Sequence, residues 1–289
     1  MTAIDSAIYG HLCDHLGTKT LTLDPVGGGS INKAFKISTT NRRLFCKVNS
    51  ATKFPHLFNM EASGLSFLEK QGLIKTPKVL SVFKTHSHQA LLLEWIEPAA
   101  ATSSFFKRLG EQLAALHAVT QENFGLDTNN YMGAVPQANT PSKDWPSFFI
   151  HQRLEPLVQQ CLMLRLLNSQ HEALFQRLYQ RIPAIFNPEP PALLHGDLWS
   201  GNLMCTTDQQ PVLVDPAVYF GHRSIDLGMT TLFGGFEKAF YEAYHYHYPL
   251  PNNYQEQWAV CNLYPLLIHL LLFGKSYLSS IERTLNDFQ

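Results

Sequence analysis

The sequence predicts an α+β fold in two lobes. The smaller lobe is an antiparallel sheet with a helix, and the larger is mainly helical. Three observations predict it. Short alternating apolar runs, separated by Gly- and Asn-bearing turns, fill the first 97 residues around one strong helical pattern. From residue 98 onward the helical period dominates. Between them, Glu97-Pro98 and the alanines 99–101 break both patterns and read as a linker, which sets the lobes at 1–97 and 98–289. With 289 residues, 45% hydrophobic and 16% charged, the chain has ample apolar surface for a core.

A formal net charge of −1 leaves no basic excess for binding nucleic acid by bulk electrostatics. The five cysteines, Cys13, Cys46, Cys161, Cys205 and Cys261, are scattered without a C-x-x-C. They read as reduced thiols of a cytoplasmic protein. The start, Met1 to Asp5, shows no signal-peptide pattern. The most apolar run, Leu263 to Phe273, is too short to span a bilayer and contains His269, so it reads as a buried helix.

In chain order, Ile8, Leu12 and Leu16 recur at helical spacing, with Asp5 as a candidate cap. Leu21 to Leu23 and Ala34 to Ile37 alternate as strands around Gly27-Gly28-Gly29-Ser30. Such a turn lets backbone N–H groups reach a phosphate, and it also serves as an ordinary hairpin turn. Leu44 to Val48 is a strand carrying Lys47 among apolar neighbours. A lysine in that position calls for a partner, and the next helix, His56 to Gln71, offers Glu61. Lys78–Phe83 and Gln89–Ile96 are strands around a polar turn bearing His86 and His88, without a third ligand for a metal.

In the larger lobe, Thr102 is a candidate cap for a helix to about Ala118, which His117 closes as a core histidine. Residues 120–144 are irregular, either a functional loop or a packed connector. Helices are expected at Trp145–Leu167 and His171–Arg181, with Pro183 ending the second. Ser224 is placed as the cap of a helix through Phe233. Asp226, at its start, either bonds backbone N–H groups of the preceding loop or simply favours the helix dipole. Helices at Glu237–His247 and Tyr254–Ile281 complete the chain.

The chemistry concentrates in Leu194-His195-Gly196-Asp197-Leu198-Trp199-Ser200-Gly201-Asn202, followed by Val212-Leu213-Val214-Asp215. Phosphoryl transfer requires a carboxylate to orient the attacking hydroxyl and oxygen ligands for magnesium on the phosphates. His195, Asp197 and Asn202 fit H-x-D-x-x-x-x-N, and Asp215 ends the next strand. A hairpin of 203–205 with 212–214 would put Asn202 and Asp215 at neighbouring strand ends.

These residues resemble the catalytic loop of the aminoglycoside and choline phosphotransferase superfamily. With Trp199, Ser200, Asp215 to Arg223, Asp226 to Thr230 and Leu232 to Phe236, the chain is similar to the fructosamine (ketosamine) kinases. The likeness extends through the 120–144 stretch and Arg153-Leu154-Glu155-Pro156, so it covers nearly the whole chain. Ser224 departs from it, since much of that family carries Glu there.

The resemblance implies a bilobal protein-kinase-like fold that uses ATP and Mg2+. Asp197 would be the catalytic base, and Asn202 and Asp215 the metal ligands. Lys47, held by Glu61, would neutralise phosphate charge beneath Gly28, Gly29 and Ser30. Glu94 and Ile96 would read the adenine edge through backbone atoms. Trp199 would form a platform for a sugar, or pack into the core. The implied acceptor is a small or protein-bound ketosamine phosphorylated at the 3-hydroxyl. The rivals are a kinase for another cationic alcohol and a nucleotide-binding scaffold without turnover.

Overall fold

The computed structural model describes Ile4, residues 6–27 and residues 31–288. Asp5, Gly28, Gly29 and Ser30 lie outside the described residues, so the cap and the glycine turn expected there are left as sequence readings. The chain divides into two compact units. One runs up to Phe105 and takes in Gly201–Pro216; the other comprises Phe106–Ser200 and the chain from Ala217 onward.

The first unit contains α1 (Ser6–Leu16), β1 (Thr22–Val26), β2 (Lys33–Ser38), β3 (Arg43–Ser50), α2 (Leu57–Gln71), β4 (Val79–Lys84) and β5 (His88–Glu94). The five strands make one antiparallel sheet in the order β1-β2-β3-β5-β4. β5 lies inside the sheet because Ala90 to Leu93 form an apolar run that is buried throughout. β3 follows the period of two. Leu44, Cys46 and Val48 join Ile8 and Leu12 of α1 in one core cluster. Lys47 must then point to the other face, where α2 lies.

α2 stops at Gly72, whose φ of 66° is the left-handed conformation glycine adopts without steric cost. Phe58, Leu65 and Leu68 are its fully buried apolar residues. Truncating one of them to Ala would cost about 2–5 kcal/mol.

The second unit begins within α3 (Ser103–His117). Thr102 spends its hydroxyl on Gln209 Oε1, at 2.7 Å, within the first unit. The irregular 120–144 stretch contains a short hairpin, β6 (Asn130–Met132) with β7 (Val135–Gln137). The expected 145–167 helix is α4 (Trp145–Phe149), capped by Asp144, then a π-helical turn at Ile150–Leu154, then α5 (Glu155–Met163).

α6 (Ser169–Ile185) begins earlier than expected, because Asn168 and His171 form a reciprocal capping box. It also runs through Pro183. Buried Tyr179, Ile182 and Ile185 hold its last turn against the core, and packing outweighs the lost N–H.

β8 (Ala192–Leu194) pairs with a strand after the β9 (Leu203–Cys205)–β10 (Pro211–Leu213) hairpin, namely β11 (Tyr219–Gly221). α7 (Ser224–Met229) is shorter than predicted. Ser224 lies inside it instead of capping it, and its hydroxyl donates to Gln257 Oε1 at 3.0 Å. After α8 (Lys238–His247), the single helix expected to Ile281 is two: α9 (Tyr254–Phe273) and α10 (Leu278–Asp287). Gly274, at φ 86° and ψ −166°, adopts a conformation essentially closed to other residues and breaks the helix there. No helix among the described residues is long and apolar enough to cross a membrane.

His222 is buried beside the Glu189–Arg223 ion pair, with Nε2 3.7 Å from Glu189 Oε2. Its Nδ1 accepts from the Ser224 N–H at 3.2 Å, so the ring proton sits on Nε2. Burial depresses this imidazole to about 4, the Glu189 charge opposing that shift. Between pH 6.5 and 4 the unfolded chain therefore binds the extra proton, and stability falls as pH falls across that window, by roughly 3 kcal/mol in full. Thermal unfolding between pH 7 and 4.5 should show a steeper loss of midpoint for the native chain than for His222→Asn.

Candidate active site

In the first unit, Lys47 Nζ donates to Glu61 Oε1 at 2.8 Å and also contacts Asp215 Oδ1 directly. The lysine side chain is 5% exposed, Glu61 10% and Asp215 40%. Burial alone would pull the ammonium down. The Asp215 and Glu61 carboxylates overcome that and hold it above the ordinary lysine range. Burial pushes Glu61 upward, against the pull of the Lys47 charge. One ammonium serves two carboxylates, so the triad with both ionised carries one surplus negative charge.

Asp215 follows β10 with φ at 56°, an uncommon value for a residue other than Gly, Asn or Asp. The N–H of Val214 donates to the Asn202 carbonyl at 3.0 Å, which brings the ends of the hairpin together as the sequence suggested. Lys75 bridges to Val212 and ties the hairpin to the segment after α2. Among the described residues no cluster of three or more His, Cys, Asp or Glu side chains could hold a metal alone. Asp215 stands beside surplus negative charge, and Asn202 carries a second hard oxygen donor at the other end of the hairpin, a donor chemistry that fits magnesium.

Glu94 closes β5, and its N–H is already taken by the Lys78 carbonyl at 3.0 Å. A base contact from Glu94 through the backbone therefore falls to its carbonyl. Ile96 is buried, two residues further on.

The second unit holds His195, Gly196 and Asp197 of the H-x-D-x-x-x-x-N segment, up to Ser200. His195 is fully buried, and its Nδ1 accepts from the Asp197 N–H at 3.3 Å, so the side chain folds back on its own loop. Gly196 has φ 84°, and a Cβ there would land on the Ala217 carbonyl oxygen. Only glycine satisfies both conditions.

Asp226 resolves the alternative left open for it. Its Oδ2 accepts from His195 N at 2.7 Å and its Oδ1 from Gly196 N at 2.8 Å. His117 Nε2 lies 3.2 Å from the same Oδ2, and His117 Nδ1 is 2.8 Å from the Tyr244 hydroxyl. His117, read from sequence as a core residue, is thus the neighbour of the loop's anchor. A histidine closing an apolar helix was the available signal, but its partner lies 109 residues away. Trp199 is half-buried and meets Phe233 edge-to-face at 5.7 Å, both as core edge and as an aromatic surface two residues from Asp197.

An N-terminal antiparallel sheet with a buried Lys–Glu pair, a helical second unit and an anchored His-x-Asp loop define the kinase-like phosphotransferase class. An aminoglycoside phosphotransferase shares this fold at TM-score 0.60 and 14% identity, covering 96% of this chain and 98% of its own. A crystal structure from Thermobifida fusca, provisionally assigned as a fructosamine-3-kinase, matches at TM-score 0.87 and 29% identity over 99% of each chain. A probable ketoamine kinase of Lactiplantibacillus plantarum is 38% identical over 271 residues, 92% of this chain and 94% of that one. The chloroplastic protein-ribulosamine 3-kinase of Arabidopsis thaliana is 32% identical over 287 residues, 96% and 85% of the two chains. The fructosamine kinase family model matches residues 4–289. The chain belongs to the fructosamine kinase family.

Asp226→Asn replaces one acceptor with an amide donor facing a backbone N–H. This should cost about 1–3 kcal/mol of stability. Through displacement of the loop it should also lower kcat roughly 100-fold, read by ADP release at saturating ATP.

Proposed function

We propose that the protein transfers the γ-phosphoryl group of ATP to a sugar hydroxyl of a ketosamine, the 3-hydroxyl of a fructosamine or ribulosamine. The observation that carries this reading is the Lys47–Glu61–Asp215 triad in a chain matched over residues 4–289 by the fructosamine kinase family. The names of the relatives supply the acceptor class, and the side chains supply the transfer chemistry.

Asp197 orients the acceptor hydroxyl and takes its proton as the oxygen attacks phosphorus; the bond from that phosphorus to the β,γ-bridging oxygen breaks and ADP leaves. Lys47, fixed by Glu61, neutralises phosphate charge. Asn202 and Asp215 would hold magnesium, which when bound would screen the charge on the phosphates. Gly28, Gly29 and Ser30 cover the phosphates, Glu94 and Ile96 contact the adenine edge, and Trp199 offers its ring to the sugar. The cytoplasm is the proposed compartment, in keeping with five free thiols.

Asp197→Asn should lower kcat on a ketosamine by about 10²–10⁴-fold with the ATP KM nearly unchanged. The check is steady-state ADP release with fructosyl-lysine, choline and an aminoglycoside compared as acceptors. Full activity in the variant would remove the assigned base. Turnover only on choline or the aminoglycoside would move the protein to another acceptor class.

A further inference from the structure

The 130–139 segment has no role in the chemistry above, yet it is held by an unusual device. Arg153 is fully buried, and no carboxylate pairs with it among the described residues. Its guanidinium lies over the rings of Tyr219 at 4.1 Å, Phe148 at 4.6 Å and Tyr264 at 5.5 Å. Nη1 donates to the carbonyls of Ala138 and Gln152, and Nη2 donates to Asn139 Oδ1 at 2.7 Å. The π-helical turn at 150–154 aims this side chain, since a widened turn rotates every later residue relative to a regular helix.

The clamped segment leads to the catalytic loop. Asn139 Nδ2 donates to Asn130 Oδ1 at 3.1 Å, and Gln137 Nε2 donates to the same oxygen at 2.7 Å. Gln137 is 2% exposed; its Nε2 also reaches the Ala217 carbonyl at 3.2 Å, and its Oε1 accepts from Tyr264 Oη at 2.7 Å. Asn130 Nδ2 donates to the Val218 carbonyl at 2.8 Å. Ala217 is the residue on whose carbonyl Gly196 packs, and its N–H donates to the His195 carbonyl at 2.8 Å. Every link from Arg153 to the residues preceding Asp197 is a direct contact.

We propose that the 130–139 segment, clamped by Arg153, is a positioning device for the catalytic loop, and that Gln137 is the residue through which it acts. By fixing the Ala217 carbonyl against Gly196, Gln137 sets the backbone that carries Asp197. Tyr264 Oη holds the Gln137 amide in the orientation that presents Nε2 to Ala217. Gln137 is a positioning residue, and its role rests on the assignment of Asp197 to the acceptor hydroxyl.

The test measures kcat, both KM values and the thermal midpoint for Gln137→Leu, Tyr264→Phe and the double variant, with Asp197→Asn assayed alongside. Gln137→Leu should lower kcat about 10- to 100-fold per folded enzyme, the range expected for a small misplacement of the attacking geometry, with the ATP KM within about twofold of native. Tyr264→Phe keeps the ring over Arg153 and loses only the hydroxyl, so it carries the test if Gln137→Leu does not fold. It should lower kcat about 3- to 10-fold. The double variant should be no slower than Gln137→Leu, because both changes remove one linkage.

Native kcat in Gln137→Leu and Tyr264→Phe overturns the proposal, as do losses that multiply in the double variant. An active Asp197→Asn would sink the reading of Asp197 itself. An inactive Asp197→Asn beside an unimpaired Gln137→Leu rejects only the positioning role.

Discussion

The carboxylate of Asp226 is completely buried, and two backbone N–H groups of the 194–202 loop converge on it. A buried acceptor of this kind must be satisfied, and leaving either oxygen unpaired costs more than an ordinary hydrogen bond gains. The loop therefore cannot relax away from α7 without stranding a carboxylate. The left-handed Gly196, the return of His195 onto the Asp197 N–H and the pairing of β8 with β11 accompany that anchorage.

The first unit applies the same rule to a cation. Lys47 stands on a strand whose alternate residues are core, so the pleat turns it toward α2 and makes Glu61 its neighbour. Asp215 joins them from the β9–β10 hairpin, which the chain contributes to this unit. A lysine shared by two carboxylates leaves a local surplus of negative charge that a divalent cation would offset. The triad thus has a structural role in fixing β3 against α2 and a chemical one in the proposed transfer.

Much of this was legible in the sequence because it depends on local periodicity and spacing. The strand around Lys47, the helix around Glu61 and the H-x-D-x-x-x-x-N pattern are short-range signals, and the elements expected there formed. Errors fell where packing overrode local preference. Pro183 was expected to end a helix whose last turn the core holds in place. Ser224 had the chemistry of a cap but lies inside α7, bonded to Gln257. The 254–281 pattern hid a break that one glycine makes. The π-turn at 150–154 leaves no periodic trace, since a single widened turn shifts the phase by only one residue.

The sequence by itself determined which residue types face each other across neighbouring turns and strands: Lys47 opposite α2, and Asn202 and Asp215 at the two ends of one hairpin. Those relations span few residues and are fixed by the 3.6- and 2-residue periods. Only the tertiary structure decided that Asp226 holds the loop, that His117 and Tyr244 back it, and that Arg153 braces the segment bearing Gln137. Those partners are brought together by burial across 14 to 127 residues of chain, over which no local pattern carries information.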